Sequence, residues 1–204
     1  MHFKLIEEII NLSSSKNWDG AKNEWNFEFA YMCDEFQRCL CGHYPIREIC
    51  VIKNKINDNE AEVGNCCVNK FLGIDSANKI FESVKRIKGD NKKSMSAEVL
   101  DYLHSKIAIN DFEFNFYKNI IRKRKLSDKQ QEIKLKINNK LVSFTSYEAN
   151  SNFTKINKVL LWAETKPDFD TSFILSLKAY CAKNGCLSEN QTIAIDKIIS
   201  KFKI

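Results

Sequence analysis

Two cysteines bracketing one residue, followed by a glycine, and a third cysteine some two dozen positions on, constrain this chain more than any other feature. The run is Cys39-Leu40-Cys41-Gly42-His43, then Cys50, then Val63-Gly64-Asn65-Cys66-Cys67-Val68. A C-x-C-G step lets a single turn present two sulfurs, and the glycine permits the bend while its amide approaches a metal-bound sulfur. Cys67 falls at an expected helix start, where the dipole favours thiolate over thiol. Zinc takes four such ligands in a tetrahedron. The spacing predicts one structural zinc site built from Cys39, Cys41 and Cys67, with Cys50 or His43 as fourth ligand. An iron–sulfur cluster uses the same residue type, but C-x-C is an uncommon spacing for one. Cys181 and Cys186 read as small apolar packing residues.

The chain has eight cysteines and begins Met1-His2-Phe3-Lys4-Leu5-Ile6-Glu7-Glu8, with acids inside its apolar run, which is unlike a secretory signal. Unpaired cysteines then belong in a reducing compartment, so a cytoplasmic protein is expected. The longest apolar stretches, Val159-Leu160-Leu161-Trp162 and Phe173-Ile174-Leu175, are far too short for a membrane span.

Periodicity sets the expected elements. Phe3, Leu5, Ile6, Ile9 and Ile10 mark a first helix. One of the serines 13–15 is expected to cap a second helix running to about Phe29, with Trp18, Ala21, Trp25 and Phe29 as its buried stripe. Ile46 to Ile52 and Ala61 to Val63 read as two strands around the polar turn 54–59, with a helix from Cys66. After Gly73 the chain reads as helical, with the polar stretch Ser143 to Thr154 as a candidate linker and a break at Pro167.

An internal repeat lies in this second part. Leu126-Ser127-Asp128-Lys129-Gln130 recurs as Leu187-Ser188-Glu189-Asn190-Gln191. At the same offset Phe112 aligns with Phe173, Phe116 with Leu177, Ile120 with Cys181 and Ile137 with Ile198. Each copy predicts a helical hairpin whose second helix opens on a Ser/Gln capping box. A looser third copy begins at Met95-Ser96, with Val99 in the Gln position. The expected class is α+β, with N-terminal helices over 1–30 and a zinc-bound hairpin and helix over 31–75. Basic helical hairpins over 76–142 and a C-terminal hairpin over 155–204 complete it.

The stretch Cys39 to Phe71, about a sixth of the chain, resembles the treble-clef-type zinc modules of bacterial and phage-associated proteins. The shared pattern is C-x-C-G, a strand ending in Ile-x-Asn, a polar turn and V-G-x-x-C-V. It is carried here by Cys39-Leu40-Cys41-Gly42, Ile52-Lys53-Asn54 and Val63-Gly64-Asn65-Cys66-Cys67-Val68. The resemblance implies a structural metal and a bacterial or mobile-element origin, and is nearly silent on activity. A regular treble clef takes a second helix ligand three residues after the first; Lys70 stands there instead.

Charge is unevenly spread: residues 1–75 carry a net −4, residues 76–140 +8 and residues 141–204 +2. The densest cluster is Arg122-Lys123-Arg124-Lys125, with Lys118 one turn before it. Such a surface suits phosphates, so a nucleic-acid-binding accessory protein is expected; an adaptor or inhibitor that engages a protein partner is the alternative. No phosphate-cradling glycine loop or G-x-S-x-G elbow occurs, and ligand roles account for Cys67 and His43 more economically than a nucleophile and base. No enzymatic activity is expected.

Overall fold

The computed structural model describes residues 3–73 and 76–204, and over these it is α+β: ten helices and one three-stranded antiparallel sheet. The chain divides into two compact units, Met1–Glu82 and Ser83–Ile204. The division falls inside a helix, and the module boundary expected at residue 75 lies outside the described residues, as does His2.

In the first unit, α1 (Phe3–Leu12) buries Leu5 and Ile9, one turn apart on one face. The serines that follow do not cap the next helix. Ser13 donates its hydroxyl to the Ile9 carbonyl and accepts from Trp25 Nε1, while the Ser14 and Ser15 amides donate to the Glu24 carboxylate at 2.8 and 2.7 Å. Asn17 is the cap, accepting from Gly20 N, and α2 is short, Trp18–Asn23. Trp25 and Phe29 belong instead to β1 (Trp25–Gln37). An apolar separation of four fits both the helical period and strand alternation, so spacing alone leaves this stretch ambiguous. Glu24 decides it: its carboxylate is held by Ser14, Ser15 and Asn54 Nδ2, fixing the chain at the point where helix gives way to strand.

β2 (Ile46–Asn54) pairs with β1 on one side and with β3 (Glu60–Gly64) on the other. The β2–β3 register sets Ile49 against Gly64, Cys50 against Val63 and Ile52 against Ala61. The turn between them is built by asparagines: Asn54 Oδ1 accepts from the Ile56 and Asn57 amides, and the Asn57 and Asn59 side chains donate to the Leu12 carbonyl. α3 (Asn65–Leu72) starts directly at the end of β3, buries Val68 and Phe71, and ends on left-handed Gly73. These elements carry the expected hairpin and helix to the cysteines.

α4 (Ser76–Gly89) leads into the second unit, made of α5 (Ala97–Ser105), α6 (Asp111–Ile120), α7 (Asp128–Phe144), α8 (Tyr147–Ala163), α9 (Ser172–Asn184) and α10 (Glu189–Phe202). Both copies of the repeat open as expected. Ser127 and Gln130 close a capping box on α7, and Ser188 and Gln191 close one on α10. Ser96 caps α5 through the Val99 amide, and valine cannot complete a box. The turn before the second copy needs its glycine, because Gly185 has φ +83° and a Cβ there would stand 2.7 Å from the Ser143 carbonyl carbon. If the serines contribute as N-caps, Ser127→Ala and Ser188→Ala should each cost about 1 kcal/mol. Urea denaturation reads this directly, and unchanged midpoints in both variants would remove the capping boxes from the account of stability.

The polar stretch Ser143 to Thr154 is not a linker. Phe144 ends α7, Ser146 caps α8 through the Ala149 amide, and Asn150 and Asn152 are buried within α8. Its serines, threonines and asparagines end one helix and start the next; Thr145 Oγ1, for example, donates to the Leu141 carbonyl. Ile156 and Val159 of α8, Ile174, Leu177 and Cys181 of α9 and Ile195 of α10 share one core. At the other end, the Tyr117 hydroxyl donates to Asn138 Oδ1 at 2.6 Å and accepts from the Met95 amide, while Asn138 Nδ2 donates to the Asn91 and Lys93 carbonyls. Among the described residues no helix is long and apolar enough to cross a membrane.

Candidate metal centre

The C-x-C-G turn lies between β1 and β2 and is closed by its own backbone. Gly42 N donates to the Cys39 carbonyl at 2.7 Å, and Cys39 N donates to the His43 carbonyl at 2.9 Å. Gly42 has φ +87°, a conformation in which a side chain would be strained, and the Lys4 side chain of α1 lies across it. Leu40 N donates to the Glu62 carbonyl, tying the turn to β3. Gly64, where β3 becomes α3, donates its amide to Cys39 Sγ at 3.1 Å. The turn and the helix start are therefore fixed to one another through a sulfur.

Cys39, Cys41 and Cys67 converge: one sulfur from each lies within 4.8 Å of the others. Cys39 and Cys41 are buried and Cys67 is partly so. Three sulfurs at corners of a zinc tetrahedron stand about 3.8 Å apart for a Zn–S bond of about 2.3 Å, so the donor set fits a soft divalent ion. Hydrogen bonding from the Cys67 thiol, and then from the Gly64 and Cys41 amides, holds Cys39 well below the ordinary thiol range. Cys67 is driven the other way, first by its bond to Cys39, then by burial and by the negative charge beside it. The opposed shifts of Cys39 and Cys67 show two sulfurs competing for one negative charge, a conflict that a divalent ion held by the three sulfurs would relieve.

The remaining sequence candidates stand elsewhere. Cys50 sits mid-strand in β2, opposite Ala30 and Val63 and fully buried, and burial pushes its thiol up. The His43 side chain is exposed. Neither joins the three-sulfur group, and among the described residues no fourth Cys, His, Asp or Glu atom does. Cys66 is exposed, and Cys33 is buried, accepting from Gln37 Nε2 at 3.5 Å. Cys181 lies in the core of the second unit, its thiol pushed up by burial to about 12.

The basic candidates divide in the same way. Arg122, Lys123, Arg124 and Lys125 are all exposed in the segment between α6 and α7, and Lys118 is exposed on α6 with its Nζ 5.5 Å from the Phe114 ring centre. Three lysines of α7, by contrast, have partners within the unit. Lys134 Nζ donates to the Lys92 carbonyl, Lys136 pairs with Glu132, and Lys140 pairs with Glu113.

Sequence reasoning passed over four residues flanking the metal turn. Phe36 and Tyr44 are half-exposed, at 51% and 54%, with ring centres 6.3 Å apart and planes at 68°. The Arg47 guanidinium lies 4.2 Å from the Phe36 ring centre, and that of Arg38 5.4 Å from the Tyr44 ring centre. The available signal was an aromatic residue with an arginine two or three positions later on each side of the cysteine pair, Phe36-Gln37-Arg38 and Tyr44-Pro45-Ile46-Arg47.

Comparison with family models, with curated proteins and with solved structures gives no match for this chain.

Proposed function

We propose that this chain is a zinc-containing accessory protein that binds nucleic acid, in which the metal holds the first unit together and the basic loop of the second contacts phosphates. Zinc suits a set of three thiolates better than magnesium or calcium, which take oxygen ligands. The observation that carries the nucleic-acid reading is the state of the loop 122–125. Four consecutive cations are exposed, and among the described residues none forms an ion pair, although Lys136 and Lys140 nearby are each matched to a glutamate. Unneutralised cations at high local density attract polyphosphate, and counterion release makes that attraction salt-dependent.

A second reading, a protein-binding adaptor, is favoured by the C-terminal hairpin. Phe173, Leu175, Tyr180 and Ile193 are exposed beside the faces that α9 and α10 bury. The two readings part on one measurement, binding of the zinc-loaded protein to a labelled oligonucleotide by fluorescence anisotropy. Nucleic-acid binding predicts a complex at low salt whose affinity falls steeply as salt rises. Absence of any complex at low salt would overturn this reading in favour of the adaptor.

A further inference from the structure

We propose that the surface beside the metal turn is a stacking platform for single-stranded nucleic acid, with Phe36 and Tyr44 receiving bases and Arg38 and Arg47 contacting the strand's phosphates. This deepens the nucleic-acid reading but rests on other residues, in the other unit. The platform has a structural origin. Met32 pairs with Glu48 and Gln37 with Ile46, so residues 33–36 of β1 stand opposite Arg47 alone. A bulge of this size breaks the ladder and turns side chains outward, and it is what sets the Phe36 ring against the Arg47 guanidinium. On the far side of the knuckle, Tyr44 is placed by the closed turn, and Arg38 donates to the Gly42 carbonyl at 3.1 Å while its guanidinium faces the Tyr44 ring.

The result is a continuous alternation, Arg47, Phe36, Tyr44, Arg38, on the outside of the module that the metal centre rigidifies. Each ring is half exposed with a guanidinium over it, and the ring surface that remains open can meet a base, since every base has a π face. Among the described residues neither arginine forms an ion pair, which leaves their charge for a phosphate. Asp34 and Glu35 are exposed in the same bulge and oppose a purely electrostatic mode. That combination selects a ligand that stacks, with few phosphate contacts. A duplex hides its base faces inside the helix; a single strand offers them.

Two phosphate contacts on a single strand correspond to a log–log salt slope of about −1.4. The test uses the full zinc-loaded chain and two probes of about 20 nucleotides, oligothymidylate and an abasic deoxyribose-phosphate strand with the same charge. Phe36→Ala and Tyr44→Ala should each weaken oligothymidylate binding roughly tenfold and leave the abasic strand unaffected. Phe36→Tyr and Tyr44→Phe should restore it, and Arg38→Gln with Arg47→Gln should flatten the salt slope for both probes. Phe36→Leu and Tyr44→Leu keep apolar bulk without a π face, so they replace any alanine variant that loses metal and should weaken binding to the same extent. Wild-type binding that is equal for the two probes, or unchanged in the ring variants, overturns the platform and leaves the basic-loop reading standing. Binding that survives charge reversal of the loop but falls with the ring variants supports the platform and removes the loop. No binding of either probe at low salt overturns both.

Discussion

Purified protein should carry close to one zinc per chain, and Cys39→Ser, Cys41→Ser and Cys67→Ser should each abolish stoichiometric metal and unfold the hairpin module. The size of the effect follows from linkage. Structural zinc in small thiolate sites contributes an apparent ~10–16 kcal/mol near neutral pH, while a whole domain is stable by only ~5–15 kcal/mol. The turn 39–43 and the α3 start meet through a backbone bond to the Cys39 sulfur and through the three-sulfur group itself, so removal of the ion would take away the bonds that join them where the module is tied. Chelation should therefore melt this region, with new proteolytic cleavage between β1 and α3. Cys181→Ser should leave the metal in place because that sulfur belongs to the α8–α9–α10 core. Cys50→Ala and His43→Ala should also keep the metal, since neither donor lies in the group; loss with either variant would identify it as the fourth ligand. Metal-free protein with unaltered melting and protease resistance would end the structural-zinc proposal.

Legibility in the sequence tracked how local each signal was. The two capping boxes were readable because Ser, Gln and a three-residue step define the geometry within one helical turn. The convergence of Cys39, Cys41 and Cys67 was readable for a related reason, since a C-x-C-G turn and a helix start joined by a short hairpin have few ways to miss one another. Where the decision was made by a distant partner, sequence reasoning failed. The second helix ends at Asn23 because Glu24 is engaged by Ser14, Ser15 and Asn54, the last from another strand. The expected linker at 143–154 is helical because its hydroxyls and amides cap and pack, and composition does not distinguish a capping serine from a solvated one. Lys134, a charged residue whose burial composition does not foretell, is buried against the Lys92 carbonyl some forty residues away. The ladder Arg47, Phe36, Tyr44, Arg38 depends on a β-bulge, which periodicity does not announce.

Replacing Arg122, Lys123, Arg124 and Lys125 by glutamate should reduce nucleic-acid affinity at low salt by at least about 100-fold and leave the fold intact. On duplex DNA each phosphate contact contributes a slope of about −0.9 in log affinity against log salt. Four contacts therefore account for about 3.6 of the wild-type slope, and a fourfold rise in salt costs the wild type roughly 150-fold through them. The variant loses that attraction and adds repulsion, so its curve should be both lower and flatter. Stability should hold, because all four side chains are exposed in the loop and the turn is maintained by the bond from Lys123 N to the Ile120 carbonyl, which involves no side chain. Glutamates following α6 meet the negative end of its dipole, while those preceding α7 meet a positive end, so two terms of about 0.3–1 kcal/mol oppose one another. Zinc content should not change, since the three sulfurs lie in the first unit. A variant whose affinity and salt slope match those of the wild type would show that the loop is a solvated turn and that any nucleic acid binds elsewhere.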